Sequence, residues 1–340
     1  MKLHTLYIYI MLLAGISCSG CIREDEYDNS PHGNLYALWN IINEQYCFLD
    51  YKEQTLDFKW NDMYAKYASR LSSSMDSYQL FEVMCDMLSE LRDGHVNLYN
   101  PHDVGRYWSW YEDYPTNFNE ELQRKYLSND YRIASGIKYK ILDDNIGYIY
   151  CGDFSTAIGN GNLDEIMHYL RTCNGLIVDV RNNSGGQLTN AEILSRRFTN
   201  KRILVGYTAH KTGPGRNNFS TPEPEYLEPS TGIRWQKKVV LLTNRRCYSA
   251  TNTFVRNMKE CPNVTVLGDQ TGGGSGLPFC SELPNGWLIR FSACPMYTAR
   301  MEHIEFGIAP DVNVSLSLED ALRGEDTLIE EARLLLNISE

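Results

Sequence analysis

The chain is predicted to be an α/β protein with a small helical bundle ahead of its α/β core. Short, wholly apolar runs at Leu176-Ile177-Val178 and Val239-Val240-Leu241-Leu242 have the pattern of strands covered on both faces. Segments with apolar residues at helical spacing alternate with these runs, as βαβ units with parallel strands require. Residues 33–91, by contrast, show helical periodicity only.

A length of 340 residues suits one large or two smaller domains. The net charge of -11, without any basic stripe, argues against a nucleic-acid partner. Residues 1–20 read as a signal peptide: Lys2 supplies the positive charge, and the apolar run over 6–16 is too short to span a bilayer. Ser19 and Gly20 before Cys21 resemble a bacterial lipobox, which makes Cys21 the expected lipidation site. Cys18, at the usual leucine position, is the other candidate. The expectation is an exported lipoprotein held at the membrane by its lipid anchor. Residues 21–32 would be a linker, in which Arg23-Glu24-Asp25-Glu26 resembles the export tag of surface lipoproteins. Either face of an outer membrane fits.

Residues 33–96 form the expected helical domain. Its three apolar stripes are Leu35, Leu38, Trp39 and Ile42; Trp60, Met63, Tyr64, Tyr67 and Leu71; and Leu80, Phe81, Met84, Met87, Leu88 and Leu91. Gly94 is placed to stop the third helix, which leaves His95 on its shoulder. Residues 97–132 are aromatic and irregular, with Tyr107, Trp108, Trp110, Tyr111, Tyr114 and Tyr126, and read as a connecting segment.

The core is expected over 133–340. A strand at 146–150 is followed by a helix stripe of Leu163, Ile166, Met167 and Leu170, and a buried strand at 176–180. Leu188, Ala191, Leu194 and Phe198 mark the next helix. Residues 211–233 are rich in Gly, Pro and Asn and aperiodic, and a loop of that length is expected to overhang the site and shape a substrate groove. After the strand at 239–242, Ala250, Phe254, Val255 and Met258 mark a helix, and 264–267 another strand. Trp287, Ile289, Phe291 and Ala293 alternate as a half-covered strand does. Leu328, Ile329, Ala332, Leu335 and Leu336 form the last helix, with Thr327 and Glu330 as a capping box. The cysteines from Cys47 to Cys294 are scattered without a CxxC pair or zinc spacing, and most read as small buried hydrophobes. No metal or cofactor is expected.

Ser249 sits where a buried strand hands over to a helix N-terminus. The ordinary reading of a serine there is an N-cap. The functional one is a hydroxyl beside free N–H groups and the positive helix end, which stabilise an oxyanion. A second turn, Asp179-Val180-Arg181-Asn182-Asn183-Ser184-Gly185-Gly186, also leaves a buried strand and aims backbone amides at an anion. A phosphate loop is excluded by the absence of a following Gly-Lys-Ser/Thr, while a plain tight turn stays open.

Taken together and in order, Asp93-Gly94-His95, the 179–186 turn, the block at 241–250, GDQTGGGSG at 268–276, LPNG at 283–286 and EFGIAPD at 305–311 resemble the tail-specific, or C-terminal processing, serine peptidases. The resemblance implies a crotonase-like (ββα) catalytic core and a peptide or protein substrate. It makes Ser249 the nucleophile, with the amides of Gly185, Gly186 and Ala250 as oxyanion hole. Gly274 stands where the processing-protease branch has its lysine base, so the chain is more similar to the tricorn-like branch. His95 then matches the base and Glu305 the supporting carboxylate, with Asp93, Glu302 and Asp311 as other carboxylates nearby. Residues 97–146 are too few for the PDZ module of many relatives. A histidine base predicts activity that falls as pH drops through about 6 to 7. Two other classes are open: a crotonase-like ligand-binding protein without peptidase action, and an esterase or other acyl hydrolase. Cys247-Tyr248-Ser249-Ala250 lacks the Gly-x-Ser-x-Gly elbow of the latter.

Overall fold

Ser30 and Asp76 start two of the four N-terminal helices that line the first part of the chain. The computed structural model describes residues 28–337, so the signal peptide and Cys21 lie outside the described residues. The helices are α1 (Pro31–Gln45), α2 (Leu49–Thr55), α3 (Trp60–Ala68) and α4 (Ser77–Ser89). Ser30 accepts from the Gly33 amide to cap α1, and Asp76 with Gln79 forms a capping box on α4. The expected stripes bury Leu35, Leu38 and Ile42, then Trp60, Met63 and Tyr67, then Leu80 to Leu88. The unit has four helices where three were expected. Helix α2 carries Lys52 on the face that Leu49 buries, which breaks the apolar stripe that periodicity would detect. Helix α4 ends at Ser89, and the turn after it has Arg92 at φ 48, so Gly94 is not the residue that stops it.

The chain continues through β1 (Asn97–Tyr99), β2 (Val104–Gly105), α5 (Ser109–Glu112) and α6 (Glu120–Leu127). The core then runs β3 (Arg132–Ala134), β4 (Ile137–Ile141), β5 (Ile146–Tyr150), α7 (Asn160–Leu170), β6 (Gly175–Asp179), α8 (Leu188–Ser195), β7 (Ile203–Thr208), β8 (Glu223–Leu227), β9 (Val239–Thr243), α9 (Ala250–Lys259) and β10 (Val264–Gly268). It closes with β11 (Pro278–Glu282), β12 (Leu288–Ser292), β13 (Met296–Thr298), β14 (Val312–Asn313), α10 (Leu318–Arg323) and α11 (Thr327–Asn337).

Seven strands make one sheet in the order β14-β10-β9-β6-β5-β4-β3. From β5 to β14 the neighbours are parallel, and β4 and β3 extend the edge antiparallel. Leu176, Val178 and Leu241 pack under α7, α8 and α9, while Ile177, Val240 and Leu242 pack under α11. Both faces are covered, which is why these strands read as unbroken apolar runs. Helix α11 is capped by Asp326, which accepts from the amides of Leu328 and Ile329, and the expected box on Thr327 does not form. Thr327 instead donates to Asp320. Arg181, wholly buried, joins Asp179 to Asp326 and ties the end of β6 to that helix.

The helical unit does not close on itself at residue 96. Its core takes Leu283, Trp287, Ile289 and Phe291 from the late chain. A sheet in the order β11-β12-β1-β2 carries them, with Asn97 opposite Arg290. His95, two residues before Asn97, therefore lies at the seam between the helical unit and the α/β core. The 211–233 stretch does not overhang the cleft as expected. It contains β8, paired with β7, and Arg216 anchors it to Asp50 and Glu53 of α2. No residue of the stretch lines the cleft around Ser249.

Candidate active site

Ser249 has φ 58 and ψ -121, and its hydroxyl makes no capping bond. A non-glycine residue in that region is held there by its surroundings. Here the Ser249 amide donates to the Gly273 carbonyl at 2.9 Å and the Tyr248 amide to that of Asn183 at 3.2 Å. The turn points the hydroxyl away from α9 and towards His95, whose Nε2 lies 3.0 Å from Ser249 Oγ. On the far side of the ring, His95 Nδ1 is 3.3 Å from the Ser275 carbonyl oxygen, an acceptor only. The network thus assigns the proton to Nδ1 and leaves Nε2 to accept from the serine.

Asp93 does not touch the imidazole ring. It accepts from the His95 backbone amide at 2.7 Å, from the Tyr46 hydroxyl at 2.7 Å and from the Tyr248 hydroxyl at 3.3 Å. The Tyr248 ring also packs edge-on to His95 and stacks on Trp110 with centroids 4.0 Å apart.

Glu305 does not touch the ring either. Its Oε2 accepts from the Ser275 amide at 3.1 Å, and its Oε1 lies 2.8 Å from Lys52 Nζ in a wholly buried pair. The carboxylate therefore reaches His95 through one residue: it holds the Ser275 amide, on one side of the Cα, while the Ser275 carbonyl on the other side faces Nδ1. Ser292 Oγ donates to that same carbonyl at 2.7 Å. Of the other carboxylates weighed for this place, Glu302 sits exposed beside Thr298 and Asp311 pairs with Lys259. Sequence reasoning missed Lys52, Ser275 and Tyr46. Only Lys52 left a signal, as a cation spaced three and four residues from Leu49 and Leu56 on one helical stripe.

These groups are strongly perturbed. Burial pushes the His95 imidazole down to about 4, with Arg290 and Lys52 adding to the fall and Asp93 opposing it. Burial and the charge on Asp93 push Glu305 above the usual carboxylate range, and Lys52 restrains that rise. Burial alone would raise Asp93 too, but Lys52, His95 and the Tyr46 hydroxyl carry it below its ordinary value. Asp93 is the ionised member of the cluster, since every hydrogen bond it accepts favours the charged form.

The two glycines have separate duties. Gly185 donates its amide to Asn183 Oδ1 at 2.9 Å and is not free for an oxyanion. Among the described residues, the amides of Gly186 and Ala250 meet no acceptor, and both residues line the cleft of about 260 Å³ that holds Ser249 and His95. Gly186 runs at φ 137 against the Phe154 backbone, where a Cβ would come within 2.3 Å of a carbonyl carbon. Gly274, at the position of the other branch's lysine, has φ 69, and a Cβ there would lie 2.1 Å from Tyr248 Cζ. The Tyr248 ring occupies the space that a side chain would need.

The low value at His95 changes the expected pH dependence. The imidazole stays neutral, and able to accept a proton, down to about pH 4. The acid limb of kcat/KM is therefore expected near 4 rather than at 6 to 7, as a pH–rate profile of the free enzyme will show. Half-maximal activity near pH 6.5 would contradict this burial-driven shift.

The chain is similar in sequence and fold to known proteins. Residues 145–314 match the model of peptidase family S41, and residues 27–89 match that of the tricorn protease C1 domain. A solved candidate peptidase from Parabacteroides merdae is 50% identical, with a TM-score of 0.88 over 92% of this chain and 98% of that one. The carboxy-terminal processing protease CtpA of Bacillus subtilis (strain 168) is 26% identical over 51% of this chain, a stretch that spans 36% of CtpA. The tricorn protease of Thermoplasma acidophilum is 27% identical over 55% of this chain and 16% of its own length. With half of its residues under one family model and a solved relative at 50% identity that is covered over 98% of its chain, the chain belongs to peptidase family S41.

Proposed function

We propose that the chain is a serine endopeptidase in which Ser249 attacks a peptide carbonyl of a peptide or protein substrate. One observation carries the reading: Ser249 Oγ lies 3.0 Å from His95 Nε2, with the uncommitted amides of Gly186 and Ala250 in the same cleft. A serine hydroxyl is a poor nucleophile until a base takes its proton. His95 Nε2 takes it as the carbon–oxygen bond forms, and the Ser275 carbonyl accepts from Nδ1 to hold the imidazolium. Negative charge develops on the substrate oxygen, towards the Gly186 and Ala250 amides and the positive end of α9. His95 then gives its proton to the leaving amine, and a water molecule, activated by the same base, releases the acyl group. Glu305 is a positioning residue here, acting through Ser275. Labelling by a fluorophosphonate tests the reading: the folded wild type is expected to label on Ser249 and to cut peptides, and Ser249→Ala to do neither. A folded wild type that neither labels nor cuts overturns it.

The proposal extends to location. Cys21, in its lipobox-like setting, is proposed as the lipidated residue that anchors the enzyme to a membrane. Cys21→Ala is expected to move the protein out of the membrane fraction or leave it unprocessed. A palmitate label that persists in Cys21→Ala and is lost in Cys18→Ala would shift the site to Cys18.

A further inference from the structure

The geometry points to Arg290 as a specificity residue that binds a carboxylate of the substrate beside Ser249, an inference that rests on the peptidase reading above. Strand β12 alternates, and Ile289 and Phe291 are buried in the core of the helical unit. Arg290, between them, faces the opposite way and lines the cleft that holds His95 and Ser249. Its Nη1 donates to Oδ1 of Asn97, its cross-strand partner, at 3.1 Å. That bond aligns the guanidinium without neutralising it. Among the described residues, no carboxylate lies within ion-pair distance of Arg290, whereas Arg181, Arg197, Arg216, Arg256, Arg323 and Arg333 all have one. Among the described residues, no aspartate or glutamate lines the cleft.

A second, independent observation lies in the same cleft. The Ser275 hydroxyl is buried, with the residue 4% exposed, and has no hydrogen-bond partner among the described residues. A buried polar group is ordinarily satisfied, so an orphan hydroxyl lining a cleft marks a ligand position. One guanidinium fork and one hydroxyl, on two residues that line the same cleft, match the single charge and two oxygens of a carboxylate. Among the described residues, no lysine lines the cleft to suit a doubly charged phosphate. Peptides present a carboxylate either on an acidic side chain or at the chain terminus. Occupation would also act on the chemistry. The Arg290 charge opposes a proton on His95, so a carboxylate seated on it favours the imidazolium that the reaction forms.

Matched peptide pairs test this: Glu against Gln scanned along one sequence, and a C-terminal acid against its amide. Binding to Ser249→Ala is read by fluorescence anisotropy, and kcat/KM is read with the wild type. The carboxylate member of one pair is expected to win by about 10- to 100-fold. A winning Glu identifies a side chain as the source, and a winning acid identifies the terminus. In Arg290→Gln the ratio should fall to about one, and Arg290→Lys should restore part of it. Should Arg290→Gln fail to fold, the Ser249→Ala protein still decides, because its preference must shrink as salt rises. Binding that ignores the carboxylate in every pair overturns the role of Arg290 even if the peptides are cut. A preference that persists in a protein that neither cuts nor labels upholds Arg290 and rejects the peptidase instead.

Discussion

Ser249→Ala and His95→Ala are each expected to lower kcat/KM by about 10⁴ or more, by the scale of serine–base knockouts. The two side chains form one proton-transfer unit, 3.0 Å apart, so the double variant should lose little beyond either single one. Removing the nucleophile deletes the covalent step. Removing the imidazole leaves a hydroxyl with no acceptor for its proton, because Asp93 and Glu305 are both occupied by other donors. Glu305→Gln should cost less than either. It reaches His95 only through the backbone of Ser275, and an amide oxygen still accepts from the Ser275 amide. Among the described residues, no lysine lines the cleft to substitute for the base, and Lys52, buried nearby, is engaged by Glu305 and by the Arg92 carbonyl. Peptide hydrolysis by variants whose folding is verified by circular dichroism measures the effect. Near-normal turnover in His95→Ala beside a dead Lys52 variant would mean that the base has been misassigned.

The parts of this site that depend on residue type and local pattern were legible in the sequence. Val239 to Leu242 read as a buried strand because both faces are covered, and Ser249 read as the residue between that strand and a helix. Whether it caps the helix or faces a base depends on a backbone angle, φ 58, that residue identity does not encode. The same limit separates Gly185 from Gly186, since only folded geometry shows which amide Asn183 takes. Gly274 was visible as a departure from the lysine branch, but the Tyr248 ring that fills the space was not. Glu305 belongs to the site at one remove, a relation that motif position cannot distinguish from direct contact. Least legible were contacts between distant segments. The second hydrophobic core joins Leu35 and Leu98 to Ile289 and Phe291, and no local periodicity announces such a pairing.

Lys52 is the residue whose loss should cost the fold most. Its ammonium is fully buried, 2.8 Å from Glu305, donates to the Arg92 carbonyl and sits 4.2 Å from the Phe306 ring centroid. Lys52→Met preserves most of the volume but leaves Asp93 and Glu305 together in the interior with no cation between them. Breaking a buried pair by removing one partner costs about 3 to 5 kcal/mol, because the other charge remains uncompensated. Glu305, which burial and Asp93 already push up to about 8 with Lys52 in place, would then rise further and hold its proton to higher pH in the folded variant. A carboxyl raised in the folded state stabilises most at pH below its unfolded value, near about 4, and loses that contribution as pH climbs through the folded value. Wild type loses this contribution as pH climbs to about 8 and Lys52→Met goes on losing it beyond, so the deficit of Lys52→Met is expected to be flat through neutral pH and to widen above about 8. Adding Glu305→Gln removes the stranded carboxyl, so the double variant should recover part of the loss, as a double-mutant cycle in urea will show. A deficit that stays flat above about pH 8, or a double variant whose losses simply add, would show that the lysine acts through packing alone.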